Sequence, residues 1–320
     1  VMTMSNKIPQ YDSDNYAVVD LGSNSFHLLI ARLNNQKFET VNKVKNKVRL
    51  AAGLNECNEL STDAINRGLE CLNLFAKHLA SIPLENIRVV ATATLRIAKN
   101  RNDFINKANK ILPLKIKLLT GEQEACTIFS GAAHSCANVS RQKRLVLDIG
   151  GASTELIIGQ SYTANKALSL NLGCVSFRER YFTDGLLTEK NFTTAINAAS
   201  QIIEPISKGF TCIGWKSVVG GSGTMQALAE ILTFRKQVVV ITSDLLQEIK
   251  QALINCKNIN DITKNDLYFA GLRVDRAPVL ASGLSILIAL FNCLKIKELE
   301  LSSGALREGL LFEMLSSQSI

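Results

Sequence analysis

The sequence predicts an α/β protein built from two similar lobes with a cleft between them. Two observations carry this expectation. Strand-like and helix-like apolar patterns alternate along the whole chain, as layered α/β architecture requires. A strand ending in Asp-x-Gly-x-x-Ser occurs at Asp20 and returns at Asp148, and an internal duplication explains that better than chance. The composition agrees. Of 320 residues, 47% are hydrophobic and 20% charged, with mean hydropathy +0.12. With 19 Gly, 5 Pro and no low-complexity tract, collagen, coiled coil and wholesale disorder are excluded.

Each element follows from its local pattern. Residues 16–21 and 26–33 are apolar β runs joined by a small polar loop, so they read as a hairpin. Residues 40–50 alternate, with Val44, Val48 and Leu50 on one face and Lys43, Lys45, Lys47 and Arg49 on the other. That stripe suits a linear polyanion, though lysines also guard edge strands against aggregation. Ser61 can cap a helix reaching residue 80, with Ile65, Leu69, Leu72, Phe75 and Leu79 in one stripe. Residues 87–91 read as a strand, 103–112 as a short helix and 114–119 as a strand. A helix over 122–133 opens just after Gly121. Residues 134–144 are small and polar, and form the expected linker between lobes.

The opening theme then repeats. A strand over 145–149 leads into Gly-Gly-Ala-Ser-Thr and a second strand over 155–159. A strand over 167–172, a helix from Cys174 and a long helix over 189–208 follow. Next come a strand over 217–219, the loop Gly-Gly-Ser-Gly-Thr and a helix from Met225. Helices over 243–256 and 276–294, a strand over 299–301 and a last helix over 305–315 complete the pattern. The apolar stretch 279–294 contains Ser282, Gly283, Ser285 and Asn292. It is too short and too interrupted to span a bilayer, so it reads as a buried helix. The lobes are expected at 16–129 and 130–310, with 311–320 ending the last helix and packing back on the first lobe.

Thirty-six basic against 28 acidic residues give a net charge of +8 and pI near 9.1. Such a field favours polyanionic partners, but it is not a nucleic-acid signature, and neither nucleic acid nor membrane is expected as a partner. The eight cysteines include no CxxC, and reduced thiols in a cytoplasmic protein are the expectation. Three histidines, His27, His78 and His134, offer no HxxxH spacing, so zinc is not expected. The first ten residues hold no apolar run, and a secretory signal is not expected.

Three Gly-rich loops follow strands. They contain Gly22, Ser23, Asn24 and Ser25; Gly150, Gly151, Ala152 and Ser153; and Gly221, Ser222 and Gly223. Glycine lets backbone N–H groups approach an anion, and hydroxyls add donors. Three loops, two built alike, point to one polyphosphorylated ligand. None is a P-loop or a Rossmann turn. Asp20 and Asp148 end their strands at these loops, with Glu155 across the second turn. Carboxylates beside phosphate need a cation, and Mg²⁺ is the natural one. The plainer reading is that both Asp residues only organise the turns. The carboxylates are expected to stand exposed in the cleft. Glu122 and Glu124 open a helix, where carboxylates are favoured electrostatically, and either could serve as a base. Arg96 follows the 87–91 strand, where it could bridge phosphate oxygens or form a surface ion pair.

At this point YAVVDLGSNSFHLLIARL, KVRLAAGLN, VVATATLR, GEQEA, VLDIGGASTELIIG, GGSGT and SSGALREGLLFEML, in this order, resemble the exopolyphosphatase/guanosine pentaphosphate phosphatase family. The resemblance runs from Tyr16 to the C-terminus and is closest to the guanosine pentaphosphate branch. It implies duplicated actin/hexokinase/Hsp70-like (ribonuclease H-like) lobes. It implies Mg²⁺-dependent removal of the terminal phosphoryl group of pppGpp to give ppGpp in the stringent response, or release of phosphate from polyphosphate. A homodimer is an allowed assembly. By position in the motifs, Glu124 matches the catalytic base. Arg96, Asn24, Gly150 and Ser153 match phosphate contacts, and Asp148 and Glu155 match metal-side carboxylates. The branch usually continues into a helical HD-like region, which is expected to be absent here, the chain being a fragment or a short form. A kinase of the same superfamily and a catalytically silent nucleotide binder are the competing classes.

Overall fold

The repeated hairpin starts a sheet in each half of the chain. The computed structural model describes residues 11–35, 37–136, 141–264 and 267–318. It divides into two compact units, Val1–Thr120 with Leu310–Ile320, and Gly121–Gly309.

In unit 1 the chain runs β1 (Asn15–Leu21), β2 (Phe26–Asn34), β3 (Lys37–Asn46), α1 (Thr62–Leu79), β4 (Ile87–Ala91), α2 (Ala93–Ile97), α3 (Arg101–Ile111) and β5 (Lys117–Leu118). The sheet order is β3-β2-β1-β4-β5, with the first three strands antiparallel and β1, β4 and β5 parallel. Ser61 caps α1 as expected, its Oγ accepting from the Ala64 N–H at 3.2 Å. The apolar stripe of α1 buries Leu72, Phe75 and Leu79 on the sheet. Gly68 lets the ring of Phe104 close on that helix, because a Cβ there would lie 2.6 Å from it.

Unit 2 contains α4 (Gly121–Ser135), β6 (Arg144–Ile149), β7 (Thr154–Gln160), β8 (Thr163–Leu170), α5 (Cys174–Tyr181), α6 (Glu189–Thr211), β9 (Ser217–Gly220), α7 (Gly223–Phe234), β10 (Val240–Thr242), α8 (Ser243–Cys256), α9 (Ala277–Leu294) and β11 (Glu298–Leu301). Its sheet order is β8-β7-β6-β9-β11-β10. The first five strands repeat the order and directions of unit 1, and β10 adds an antiparallel edge. This is the duplicated ribonuclease H-like topology that the resemblance implies. The apolar α9 is long enough to cross a membrane by composition. Here it is mostly buried, packed among α5, α6 and α8.

The division falls at Thr120–Gly121 rather than at 129/130. The reason is the packing of α4 on β7 and β8, where the Phe129 ring fills the space above Gly159. The polar stretch 134–144 therefore joins α4 to β6 within unit 2 and links no lobes; its residues 137–140 lie outside the described residues. The last helix, α10 (Leu306–Gln318), begins beside α4. A Cβ on Gly309 would lie 2.0 Å from the Thr127 carbonyl, so the two backbones touch. Residues 310–320 group with unit 1, where the Phe312 ring meets Phe38 edge-on at 5.6 Å.

Candidate functional site

The tip of the β1–β2 hairpin is a tight turn. A Cβ on Gly22 would lie 2.8 Å from the Ser25 carbonyl, so the turn requires glycine. The carbonyls of Ser23 and Asn24 accept from the N–H groups of Ala51 and Arg49. Ser23 and Ser25 are buried. Asp20 and His27 are opposite residues in the β1–β2 register, with Asp20 Oδ2 3.8 Å from His27 Nδ1. His27 in turn lies opposite Lys45 on β3. A carboxylate, an imidazole and an ammonium thus form one row across unit 1. Arg96 sits on α2, a short helix that the sequence reading missed, and donates to the Leu119 carbonyl at 3.0 Å. The basic stripe is shorter than expected. Lys43 and Lys45 lie exposed on β3, but the strand ends at Asn46 and Arg49 takes a left-handed φ of 53°.

The β6–β7 hairpin of unit 2 repeats the turn, with Gly150 N–H donating to the Ser153 carbonyl at 2.8 Å. The carbonyls of Gly150 and Gly151 accept from the first N–H groups of α5, at Cys174, Val175 and Ser176. Gly173 permits this clamp, because a Cβ there would lie 2.3 Å from the Ala152 nitrogen. The sequence placed a helix at Cys174 without its role as a brace for the loop.

Asp148 and Glu155 are opposite residues on β6 and β7, so both side chains stand on one face, with Cβ atoms roughly 5 Å apart. Glu124, on the first turn of α4, is 6% exposed and belongs to the same electrostatic group; Glu122 faces solvent. Glu155 is buried at 1% exposure, contrary to the expectation of an exposed ligand. Burial pushes its carboxyl well above the usual range, and the charges of Glu124 and Asp148 push it further. Hydrogen bonds from Ser153 and Ser169 oppose that rise. The Cys174 thiol beside this cluster is pushed up to about 12, chiefly by burial, so it is no nucleophile.

The donor set fits Mg²⁺. Among the described residues no three His, Cys, Asp or Glu side chains form a ready metal shell, but Mg²⁺ is usually held by one or two carboxylates with phosphate and water. Asp148 and Glu155 supply that pair, and a cation would relieve the repulsion that raises Glu155. Asp20 stands in unit 1, beside His27.

The third loop ends β9 and starts α7. Ser222 is buried at the N-cap, and the carbonyl of Gly223 accepts from Arg276 at 2.8 Å. Gly221 lies near Ser302 and Ala305, and the Ser302 N–H donates to the Gly220 carbonyl. Along one face of α7 lies an open depression of about 720 Å³ lined by Gln226, Glu230, Phe234, Val240, Gly271 and Glu300 among others. Phe234 is 58% exposed. Gly271 has a φ of 90°, and a Cβ there would meet Phe234 at 2.5 Å. No sequence pattern signalled this cavity, because β10 and β11 join it to α7 only through tertiary structure.

A family model described as the Ppx/GppA phosphatase family matches residues 29–318. The chain is 49% identical over 300 residues to the guanosine-5'-triphosphate,3'-diphosphate pyrophosphatase of Vibrio cholerae. It is 50% identical over 301 residues to that of Vibrio atlanticus. Each match covers 94% of this chain and 59% of the relative, so the chain spans less than two thirds of their length. An exopolyphosphatase structure from Cytophaga hutchinsonii superposes with a TM-score of 0.84 at 22% identity, covering 95% of this chain and 98% of that one. An Aquifex aeolicus Ppx/GppA family member gives 0.77 at 23%, covering 95% and 98%. At such identities the structures establish the fold. With the family model spanning nearly the whole sequence and relatives at half identity, the chain belongs to the Ppx/GppA phosphatase family.

Proposed function

We propose that this chain hydrolyses the terminal 5′-phosphoric anhydride of guanosine pentaphosphate (pppGpp), giving ppGpp and inorganic phosphate, a step of the stringent response. The observation that carries this reading is the acidic group of Glu124, Asp148 and Glu155 beside the 150–153 loop. With the Gly150 and Gly151 carbonyls tied to α5 and the Gly150 N–H held by the Ser153 carbonyl, the loop's remaining N–H groups are the donors for the terminal phosphate. Glu124 accepts a proton from the attacking water as the new P–O bond forms. The bridging P–O bond breaks and ppGpp leaves with the electron pair. Bound at Asp148 and Glu155, Mg²⁺ would supply charge neutralisation at the phosphoryl oxygens. Little covalent chemistry is asked of the protein, since phosphoryl transfer rests on positioning and electrostatics.

A nucleotide substrate is favoured by the names of the relatives at half identity and by the cavity beside α7. That cavity begins one turn from the third glycine loop. It is open to solvent, its exposed Phe234 offers a stacking face, and Glu300 offers a carboxylate to the two N–H donors of a guanine edge. Polyphosphate is the second reading, favoured by the exposed Lys43 and Lys45. The deciding experiment measures phosphate release from pppGpp, short and long polyphosphate, and ATP, each with and without Mg²⁺. Fast Mg²⁺-dependent release from pppGpp, with ppGpp as product, is expected. No release from pppGpp, or equal turnover of ATP, contradicts the reading.

A further inference from the structure

Glu155 is the most deeply buried carboxylate of the acidic group, and a side chain of the neighbouring strand bonds it. In the β7–β8 register Glu155 lies opposite Ser169. The Ser169 hydroxyl donates to Glu155 Oε1 at 2.7 Å. Asp148, Glu155 and Ser169 therefore form a row across β6, β7 and β8, all on one face of the sheet. A second hydroxyl, from Ser153 in the loop, also bonds Glu155. Without these donors a carboxylate buried to 1% exposure near two like charges has every reason to turn away or to hold a proton. Sheet geometry fixes where Ser169 can be, because register sets its Cβ opposite that of Glu155.

We infer that Ser169 is a positioning residue for divalent-cation binding: its hydroxyl holds Oε1 of Glu155 and so fixes that carboxylate on the strand opposite Asp148. This inference rests on the proposed metal pair and asks more of it, a specific hydrogen bond outside the ligand set. Hydrogen bonds to ligating groups from outside the ligand set commonly change metal affinity by about 10- to 100-fold. Serine is a natural choice on a packed strand face, being a donor that adds little volume.

The test uses the whole chain without substrate. Mn²⁺, a paramagnetic stand-in for Mg²⁺, is titrated and its free concentration read by electron paramagnetic resonance. Wild type, Ser169→Ala, Ser169→Thr and Asp148→Asn are compared, and unfolding is followed in the absence of metal to establish that each variant is folded. Ser169→Ala is expected to weaken Mn²⁺ binding by about tenfold, and Ser169→Thr, which keeps the hydroxyl, to restore most of it. In phosphate release, the half-saturating Mg²⁺ concentration should rise similarly while kcat at saturating Mg²⁺ stays within about twofold. Wild-type affinity in Ser169→Ala, or equal loss in Ser169→Thr and Ser169→Ala, would overturn the inference. So would absence of Mn²⁺ binding in the wild type. If Mn²⁺ affinity behaves as expected but pppGpp is not cleaved, the positioning role stands and the substrate reading falls.

Discussion

Asp148 faces Glu155 across β6 and β7, and the equivalent residue of the first hairpin, Asp20, faces His27. On the third strand the rows continue with Ser169 in unit 2 and Lys45 in unit 1. The same backbone thus carries two chemistries. In unit 2 two carboxylates and Glu124 gather with no basic side chain in the row, an arrangement a cation stabilises. In unit 1 the carboxylate shares its row with an imidazole and an ammonium. The two aspartates, alike in sequence, are expected to differ in metal dependence. Asp148→Asn should weaken Mn²⁺ binding at least about tenfold, and Asp20→Asn by no more than about twofold. Equal losses would show that Asp20 is a ligand as well.

Glu155 makes stability depend on pH. Its carboxyl binds a proton more tightly folded than unfolded, so it contributes stability that is present below the unfolded value of about 4.3. That contribution is lost as pH rises through the higher folded value. Glu155→Gln cannot ionise. In metal-free buffer the variant should melt a few degrees above wild type at neutral pH, with the difference closing below about pH 4.5. Mg²⁺ should raise the wild-type Tm more than that of the variant. A wild type more stable than Glu155→Gln at neutral pH without metal would contradict the burial argument.

If the base of pppGpp binds beside α7, that surface distinguishes nucleotide from polymer. Glu300 lines it, and a carboxylate that accepts from two base donors is worth about 1–3 kcal/mol. Glu300→Ala should raise KM for pppGpp about tenfold or more while leaving tripolyphosphate hydrolysis unchanged. Equal effects on both substrates would remove the base from this cavity.

Lys43 and Lys45 are exposed on β3, an edge strand of the unit 1 sheet. Replacing both with Gln should raise KM for long polyphosphate a few-fold and flatten its salt dependence, with little change for pppGpp. Unchanged salt dependence would leave these lysines with edge protection alone.

The duplicated hairpins were legible because Asp-x-Gly-x-x-Ser has to fit a turn whose glycine nearly touches the serine carbonyl, and the same contact recurs at Gly22 and Gly150. Which of Glu122 and Glu124 is buried is not legible in local pattern; both open the helix, and only tertiary packing buries one. The burial of Glu155 and its bond to Ser169 depend on the β7–β8 register, which local pattern does not encode. The unit boundary escapes local pattern for a similar reason. The polar run after α4 resembles a linker, but what assigns α4 to unit 2 is its packing on β7 and β8, a long-range contact. Arg96 was read as lying just beyond a strand, because a five-residue helix such as α2 leaves no periodic signal.

In the proposed mechanism Glu124 accepts the proton of the attacking water. Glu124→Gln keeps shape and hydrogen bonding but removes the base, and general-base contributions run at about 10²- to 10⁴-fold. The most direct measurement is kcat for phosphate release from pppGpp in wild type, Glu124→Gln and Glu122→Gln, with pppGpp Kd measured alongside. The expected result is a kcat loss of about 10² to 10⁴ in Glu124→Gln with Kd nearly unchanged, and a Glu122→Gln enzyme close to wild type. Near-normal kcat in Glu124→Gln would contradict it.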